Sequence, residues 1–399
     1  MLTATLCFPR ALRVLPIAAA LLAACGGAPD STESSDDLKF PSALAAKELK
    51  GKLDKAAIRK TQPWITSDAL FDQKWAAMAA APIDFLGGSS AAYYADLGAL
   101  PAARLPGGFG MCHGDPKADN FGWQLVDGKG VFGDNDFDDA GDCPVAADAL
   151  RYLVATDLWF ADASLDKLAL DAYVAAVDDK HAAVQIDPAA QPVWSDVRKK
   201  GLGKDTSGDA IVLGGEVQAA TAGEKAAVRA LVGADSRFPQ MVLDVTRNVR
   251  TTGGSAGLRR FWIFAQDADG TRTIVELKEL ATPGTEFGRH TATYDGDGRF
   301  DVLKPFWWGS AGEGDYFTVR LLGGRFVARD RMTRANVKPD KMTRAQVENL
   351  VAAEASQLAL AHRKAWGKVK KSELSAWLSA SAATLTARWR GAYAAAGGK

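Results

Sequence analysis

The stretch from Met111 to Asp139, MCHGDPKADNFGWQLVDGKGVFGDNDFDD, constrains the fold more than any other. Asp115, Asp119 and Asn120 form one acid-amide group, and Asp134, Asn135, Asp136, Asp138 and Asp139 form a second. Between them, residues 123–126 and 131–132 read as strands, and Asp127-Gly128 supplies a hairpin turn. Closing that hairpin brings both groups to one end of a ribbon. Carboxylates held so close repel each other unless positive charge lies between them. Asp and Asn oxygens suit a divalent cation such as Mg²⁺ or Ca²⁺. Asp134, Asp136 and Asp138 have the alternate spacing of an EF-hand loop. Asp139, however, replaces the turn glycine and Val145 the closing glutamate, which excludes that motif. A solvated acidic loop without a ligand is the alternative. Phe132 and Phe137 instead argue for a loop anchored in a core.

Residues 241–280 read as strand, glycine-rich loop, strand, Asp-Gly turn and strand. Gly253, Gly254 and Gly257 let the backbone approach a ligand closely, and Ser255 adds a hydroxyl. In the last strand a period of two puts Ile274, Glu276 and Lys278 on one face and Val275 and Leu277 on the other. GLGKDTSG, within 201–208, lacks the spacing of a phosphate-binding P-loop.

HGDPKADNFG followed by NDFDDAGDCPVAADALRYL resembles the phosphotransferase loop of aminoglycoside-kinase-like proteins: His-Gly-Asp, four residues, Asn, a strand pair, then Asp-Phe. The closer resemblance is to the bacterial domain-of-unknown-function family 2252. That family has GD-x-H-x-x-N-F-G, N-D-F-D and a helix opened by an Asp, here Asp148; the likeness extends roughly over residues 75–367. It implies that Asp115 is the catalytic Asp, which accepts or orients the proton of the attacking hydroxyl. Asn120 and Asp136 would be the metal-binding pair, and Gly253, Gly254, Ser255, Gly257 and Lys278 the nucleotide-binding set. His113 is expected to be a hydrogen-bonded loop histidine rather than a base. Two departures stand out: Lys117 replaces a His of the family pattern, and Gly87 replaces an Arg in a Phe-x-Arg-Gly segment. The family's Lys-Glu pair is Lys278-Glu279, and Arg320 falls at a Tyr-x-Val-Arg-like position, where an ordinary salt bridge is the simpler expectation.

In ordinary kinases the glycine loop and lysine precede the catalytic loop; here they follow it. A helix over 342–366, carrying His362, resembles the helix that leads into the catalytic loop. The resemblance therefore implies an α+β fold of two lobes, protein-kinase-like and circularly permuted. Residues 38–238 form a mostly helical large lobe, 239–340 an antiparallel-sheet small lobe, and 341–399 helices returning to the large lobe. Further helices are expected over 38–60, 67–80, 148–161, 165–177, 216–232 and 371–395, with 187–215 as a loop insertion. Trp159, Phe160, Trp377 and Trp389 read as core, and Trp307 and Trp308 as core or cleft wall.

Composition is that of a globular protein: 47% hydrophobic, 24% charged, with 48 basic and 48 acidic residues, which leaves no electrostatic footprint for nucleic acid. Arg10 and Arg13 precede an apolar run over 14–24, and Leu22-Ala23-Ala24-Cys25 resembles a lipobox. That predicts cleavage of residues 1–24, lipid on Cys25, a flexible tether to Asp37, and a lipid-anchored protein of the bacterial envelope, at the outer membrane since Gly26 follows. Cys112 and Cys143 flank the two acidic groups. A disulfide between them and a pair of buried free thiols are both open.

The leading expectation is a kinase-like phosphotransferase or nucleotide-binding lipoprotein, using Mg²⁺ with ATP or another phosphoryl donor and a small-molecule acceptor. A catalytically inactive kinase-like module that binds a ligand or partner at the envelope is the alternative. A metal-dependent phosphoester hydrolase is the third.

Overall fold

The computed structural model describes residues 38–179, 182, 184–187, 190–308 and 316–398. The expected signal segment, the expected lipid site at Cys25 and the expected tether lie outside the described residues. Over 38–60 the expected helix does not form. A 3-10 turn at Ala46–Glu48 and the short helix α1 (Lys55–Lys60) replace it. Pro41 and Gly51 disfavour a continuous helix here, and the irregular path buries Leu44, Leu49 and Ile58. Asp54 starts α1 by accepting from the Ala57 N–H. The helices α2 (Asp68–Met78), capped by Ser67, α3 (Pro82–Gly87), with Pro in its first turn, and α4 (Ser90–Gly98) follow.

Strand β1 (Phe109–Cys112) leads into the first acidic group, and β2 (Phe121–Val126) and β3 (Lys129–Asp134) form the expected hairpin. Asp127 (φ 49°) and Gly128 (φ 75°) give the two left-handed residues that a tight hairpin turn of this twist needs. Register pairs Phe121 with Asp134, so both acidic groups do sit at one end of the ribbon. Strand β4 (Gly141–Pro144) returns antiparallel to β1, and α5 (Val145–Phe160) and α6 (Ala163–Asp178) follow as expected. Ala161, left-handed at φ 48°, ends α5.

The segment 187–215 is not a bare loop. It carries α7 (Trp194–Asp205) and a two-residue ladder of β5 (Thr206–Ser207) with β6 (Ala210–Ile211). Nor is 216–232 one helix. Strand β7 (Val217–Ala219) zips onto the sheet before Thr221 and Glu224 form a reciprocal cap that opens α8 (Ala222–Ala234). Strands β8 (Met241–Asn248), β9 (Arg260–Gln266) and β10 (Arg272–Glu279) form as expected. After α9 (Arg299–Trp308), β11 (Tyr316–Leu321) and β12 (Gly324–Asp330) complete an antiparallel sheet in the order β11-β12-β10-β9-β8-β7. Strand β13 (Arg334–Asn336) leaves that sheet and pairs with β2. The chain closes with α10 (Arg344–Trp366) and α11 (Lys371–Ala395).

The fold is thus α+β. One core gathers α5, α6, α10, α11 and the β1–β4 pair, with Trp307, Trp308, Trp377 and Trp389 in it; Trp159 lines a cleft instead. A second core fills the space between the sheet and α8, and takes Phe261, Ile263, Val275, Leu277 and Phe326. The period of two in β10 therefore turns Glu276 and Lys278 the other way, where both are nonetheless buried. Among the described residues no helix is long and apolar enough to cross a membrane.

Cys112 and Cys143 form a disulfide, with Cα atoms 5.9 Å apart. It staples β1 to β4, the strands that lead into the first acidic turn and out of the second. Closing a loop over a separation of 31 residues lowers the entropy of the unfolded chain. The double variant Cys112→Ala/Cys143→Ala is expected to lose roughly 3–4 kcal/mol of stability in urea unfolding, on the chain-entropy estimate.

Candidate functional site

The first acidic turn is held from beneath by Asp148, in the opening turn of α5. Its carboxylate accepts from the backbone N–H groups of His113 (2.8 Å) and Gly114 (3.0 Å), from the Tyr94 hydroxyl and from His362 Nε2 (3.1 Å). Burial pushes this carboxyl up, but the hydrogen bond and charge of His362 outweigh it, and Asp148 lies below the usual carboxylate range. His362 is itself fixed by the Tyr173 hydroxyl, 2.7 Å from Nδ1. Gly114 (φ +87°) is required twice over: it is left-handed, and a Cβ there would collide with the carbonyl of Asp139. That backbone approach joins the two acidic turns directly.

Asp115 faces the cleft between two fixed partners. Arg151 Nη2 donates to its Oδ1 at 2.5 Å, and Asn120 Nδ2 to its Oδ2 at 3.1 Å. Arg151, fully buried on α5 and 4.9 Å from the Tyr93 ring centre, is a site residue that sequence reasoning missed. Its signal was a lone Arg inside the apolar run AADALRYLV, three residues after Asp148. Because the Asn120 amide nitrogen points at Asp115, its Oδ1 is free to turn to the cleft, where it accepts from Lys117 Nζ at 3.0 Å. Lys117 also pairs with Asp119 and lies 3.8 Å from Asp115. The two departures from the family pattern meet here. A Cβ on Gly87 would lie 3.0 Å from Lys117 Cε, so the lysine runs through the space that a side chain at position 87 would need. His113 is a fully buried structural histidine as expected. Its Nδ1 accepts from the Asp115 N–H (3.3 Å), and its Nε2 lies 3.0 Å from Asp134 Oδ1.

The second turn is held by its own contacts. Asp134 Oδ1 accepts from the Asp136 N–H (2.9 Å), and its carbonyl accepts from Trp308 Nε1 (2.8 Å). The buried Arg299 donates to the Asp138 and Ala140 carbonyls. Burial pushes the carboxyls of Asp134 and Asp139 up to about 6; His113 opposes this for Asp134, while Asp115 and Asp138 add to it for Asp139. Asp136 behaves in the opposite way. Half-buried, it is held well below the usual range by Lys278 and Arg329.

Those two cations come from the sheet. Lys278 Nζ lies 3.1 Å from Asp136 Oδ1 and also pairs with Asp138, and Arg329 Nη1 lies 2.9 Å from Asp136 Oδ1. Glu276, two residues along β10, takes Arg260 (3.1 Å), Trp262 Nε1 (3.1 Å) and Arg329 (2.6 Å). Glu279 is not the partner of Lys278; it turns away to Arg259 at 2.5 Å, as the alternation of the strand requires. Arg320 is exposed and pairs with Asp297, as the salt-bridge expectation had it. In the glycine loop, Gly253 (φ +74°) and Gly257 (φ +84°) make the turn. Its Ser255 Oγ accepts from Arg260 Nη2 at 2.7 Å. The Gly254 carbonyl accepts from Lys74 Nζ at 3.1 Å, and the Ala256 carbonyl from Trp64 Nε1 at 3.2 Å.

All of the predicted catalytic, metal and nucleotide-binding residues except Gly257 line one cleft of about 780 Å³, within the ~300–1,000 Å³ typical of small-molecule sites. Gly257 shapes the adjoining loop and packs on Ile65 and Leu70. Charge is divided across the cleft. Asp84, Asp115, Asp119, Asp136, Asp138 and Asp139 line one side with Lys117 among them; Arg260, Lys278 and Arg329 line the sheet side around Glu276; Arg331 and Arg334 follow on the path from β12 into β13, which pairs with β2. The donor set fits a hard cation: Asn120 Oδ1 and the Asp136 carboxylate open on the cleft, and Asp138 Oδ1 is buried with no hydrogen-bond partner. Cys112, Asp148 and His362 also bring ligand-type atoms within 4.8 Å of one another. There the sulfur is in the disulfide, and the carboxylate is saturated with donors.

Residues 67–189 match the family model described as "Uncharacterized protein conserved in bacteria (DUF2252)". That span holds Asp115, Asn120 and Asp136 but not the lysine-bearing sheet. No curated protein and no solved structure matches the chain.

Lys74, with none of its surface exposed, links α2 to the glycine loop; burial pushes its ammonium down to about 7, with Asp139 opposing. Its ordinary value is 10.5. Between those two values the unfolded chain holds a proton that the folded chain lacks, so stability rises with pH across that window. Lys74→Met removes this dependence. Relative to wild type, the variant should gain on the order of a few kcal/mol at pH 6. The gain should shrink towards pH 10, as read from urea midpoints.

Proposed function

We propose, for a chain whose residues 67–189 belong to the bacterial family DUF2252, that the cleft binds a phosphorylated small molecule with a divalent cation and transfers a phosphoryl group. The single observation that carries this reading is the contact of Lys278 with Asp136, made across 142 residues of chain at 3.1 Å. It joins a lysine-bearing strand and a glycine loop to an acidic catalytic-type loop. That is what a two-lobed kinase-like site needs, here with the strand after the loop, as in a circular permutation.

The residues divide the work by their surroundings. Asn120 and Asp136, with Asp138 beside them, would hold the cation, which when bound supplies charge neutralisation to phosphate oxygens. Lys278 and the backbone of Gly253, Gly254 and Ser255 hold the donor's phosphates. Asp115, fixed by Arg151 and Asn120, receives or orients the proton of an acceptor hydroxyl. As the oxygen–phosphorus bond forms, the bond from that phosphorus to its bridging oxygen breaks, and the shortened donor leaves as an anion beside Lys278. Lys117, beside Asp115 and Asn120, brings positive charge to where the transferred group passes, in place of the side chain that Gly87 lacks. In this reading the protein is held at the bacterial envelope, at the outer membrane, by lipid on Cys25.

A second reading, a non-catalytic ligand-binding module of the envelope, draws on one fact: Lys278 and Arg329 already neutralise Asp136. Thermal unfolding separates the two. Mg²⁺ together with a phosphoanhydride such as ATP or tripolyphosphate should stabilise the full chain by about 2.7 kcal/mol at a hundredfold excess over the dissociation constant. Asp136→Asn should abolish the Mg²⁺ dependence. Stabilisation that is unchanged by chelation and by Asp136→Asn favours the binding module. No stabilisation by either phosphoanhydride overturns the phosphotransferase.

A further inference from the structure

We infer that the donor is a linear inorganic phosphoanhydride, of the tripolyphosphate or polyphosphate class, rather than a nucleotide; this rests on the phosphate-binding reading above. Besides Lys278, the cleft is lined by a run of arginines that starts on the sheet and ends on β13, the strand paired with β2. Arg329 stands opposite Glu276 in register on β12, and Arg331 and Arg334 follow where the chain passes from β12 to β13. Glu276 is the one carboxylate that this sheet contributes to the cleft, and it already serves Arg260, Arg329 and Arg331. Arg334 has no carboxylate partner among the described residues. Its Nη2 makes only 3.4 Å contacts to the amide oxygens of Asn135 and Asn336. Burial, and then Arg329, push its guanidinium down from the ordinary value. Guanidinium groups gathered around one carboxylate repel each other until an anion enters.

A nucleoside attached to phosphates held at Lys278 would have to lie along this same run. A base binds between apolar or aromatic faces. Here the indole of Trp262 is already covered by Arg331, 4.0 Å from its ring centre. The larger apolar residues of the cleft lie off these arginines: Trp64, Met78, Ile83 and Trp159 come from the helical part, Trp64 touching the Ala256 carbonyl of the glycine loop, and Leu258 follows that loop. A chain of phosphates instead offers a negative charge to each cation in turn. The reaction is the one above: the acceptor oxygen bonds to the terminal phosphorus, and a chain one phosphoryl shorter departs.

Calorimetric titration of the full chain with Mg²⁺ and pyrophosphate, tripolyphosphate, ATP or adenosine tests this. Tripolyphosphate should bind about tenfold tighter than ATP, and adenosine should not compete. Arg334→Gln should weaken tripolyphosphate about tenfold and pyrophosphate little, without lowering the melting temperature of the free protein. ATP tighter than tripolyphosphate, with adenosine competing, overturns the inference and leaves the phosphotransferase standing. Equal losses for pyrophosphate and tripolyphosphate in Arg334→Gln also overturn it. No binding by any of the four sinks both.

Discussion

Asp136 is held ionised by two cations that reach it across the cleft from a sheet distant in sequence. The 134–139 turn carries five carboxylates and amides and is anchored by Phe137, whose ring packs against Trp308 and Tyr316. Burial raises the energy of the charges on Asp134 and Asp139. Lys278 and Arg329 answer the charge of Asp136, and they can do so because β10 and β12 are neighbours whose outward face is polar while their other face is sealed by α8. The charge balance of the cleft therefore depends on the packing of the sheet. A shift of one residue in β10 would turn Lys278 away from Asp136 and into the apolar core.

The opposite wall is rigid for different reasons. Asp148 gathers donors from two backbone amides, a tyrosine and a histidine, so the loop carrying Asp115 is hung from the opening turn of a buried helix. Gly114 lets that loop touch the Asp139 backbone, and the Cys112–Cys143 disulfide ties the strands on which both turns are mounted. The result is that both oxygens of Asp115 are already oriented, by Arg151 and Asn120, before any ligand arrives.

Much of this was legible in the sequence. The hairpin announced itself through Asp127-Gly128, α5 and α10 through long apolar periodicity, and the face of Lys278 through alternation in β10. What was not legible shares one cause, the reach of tertiary contacts. Residues 38–60 have helical composition, yet Leu44 and Leu49 are drawn into the core by an irregular path. Residues 217–219 are captured by an edge of the sheet. For Arg299 and Lys74 nothing local shows that a carbonyl awaits them in the interior, and Arg151 shows only as a lone charge in an apolar run. The arginines at 329, 331 and 334 show no local sign of a shared site; β12 and β13, which join different sheets, bring them to the cleft that Lys278 lines.

The central claim is that these walls meet around a cation and a chain of phosphates. Crystals of the protein grown with Mn²⁺ and tripolyphosphate test it most directly, since manganese is located by its anomalous scattering. The account predicts a single strong peak bounded by Asn120 and Asp136, with phosphate density running from Lys278 towards Arg334. Manganese bound elsewhere, or phosphate density away from Lys278, would contradict it.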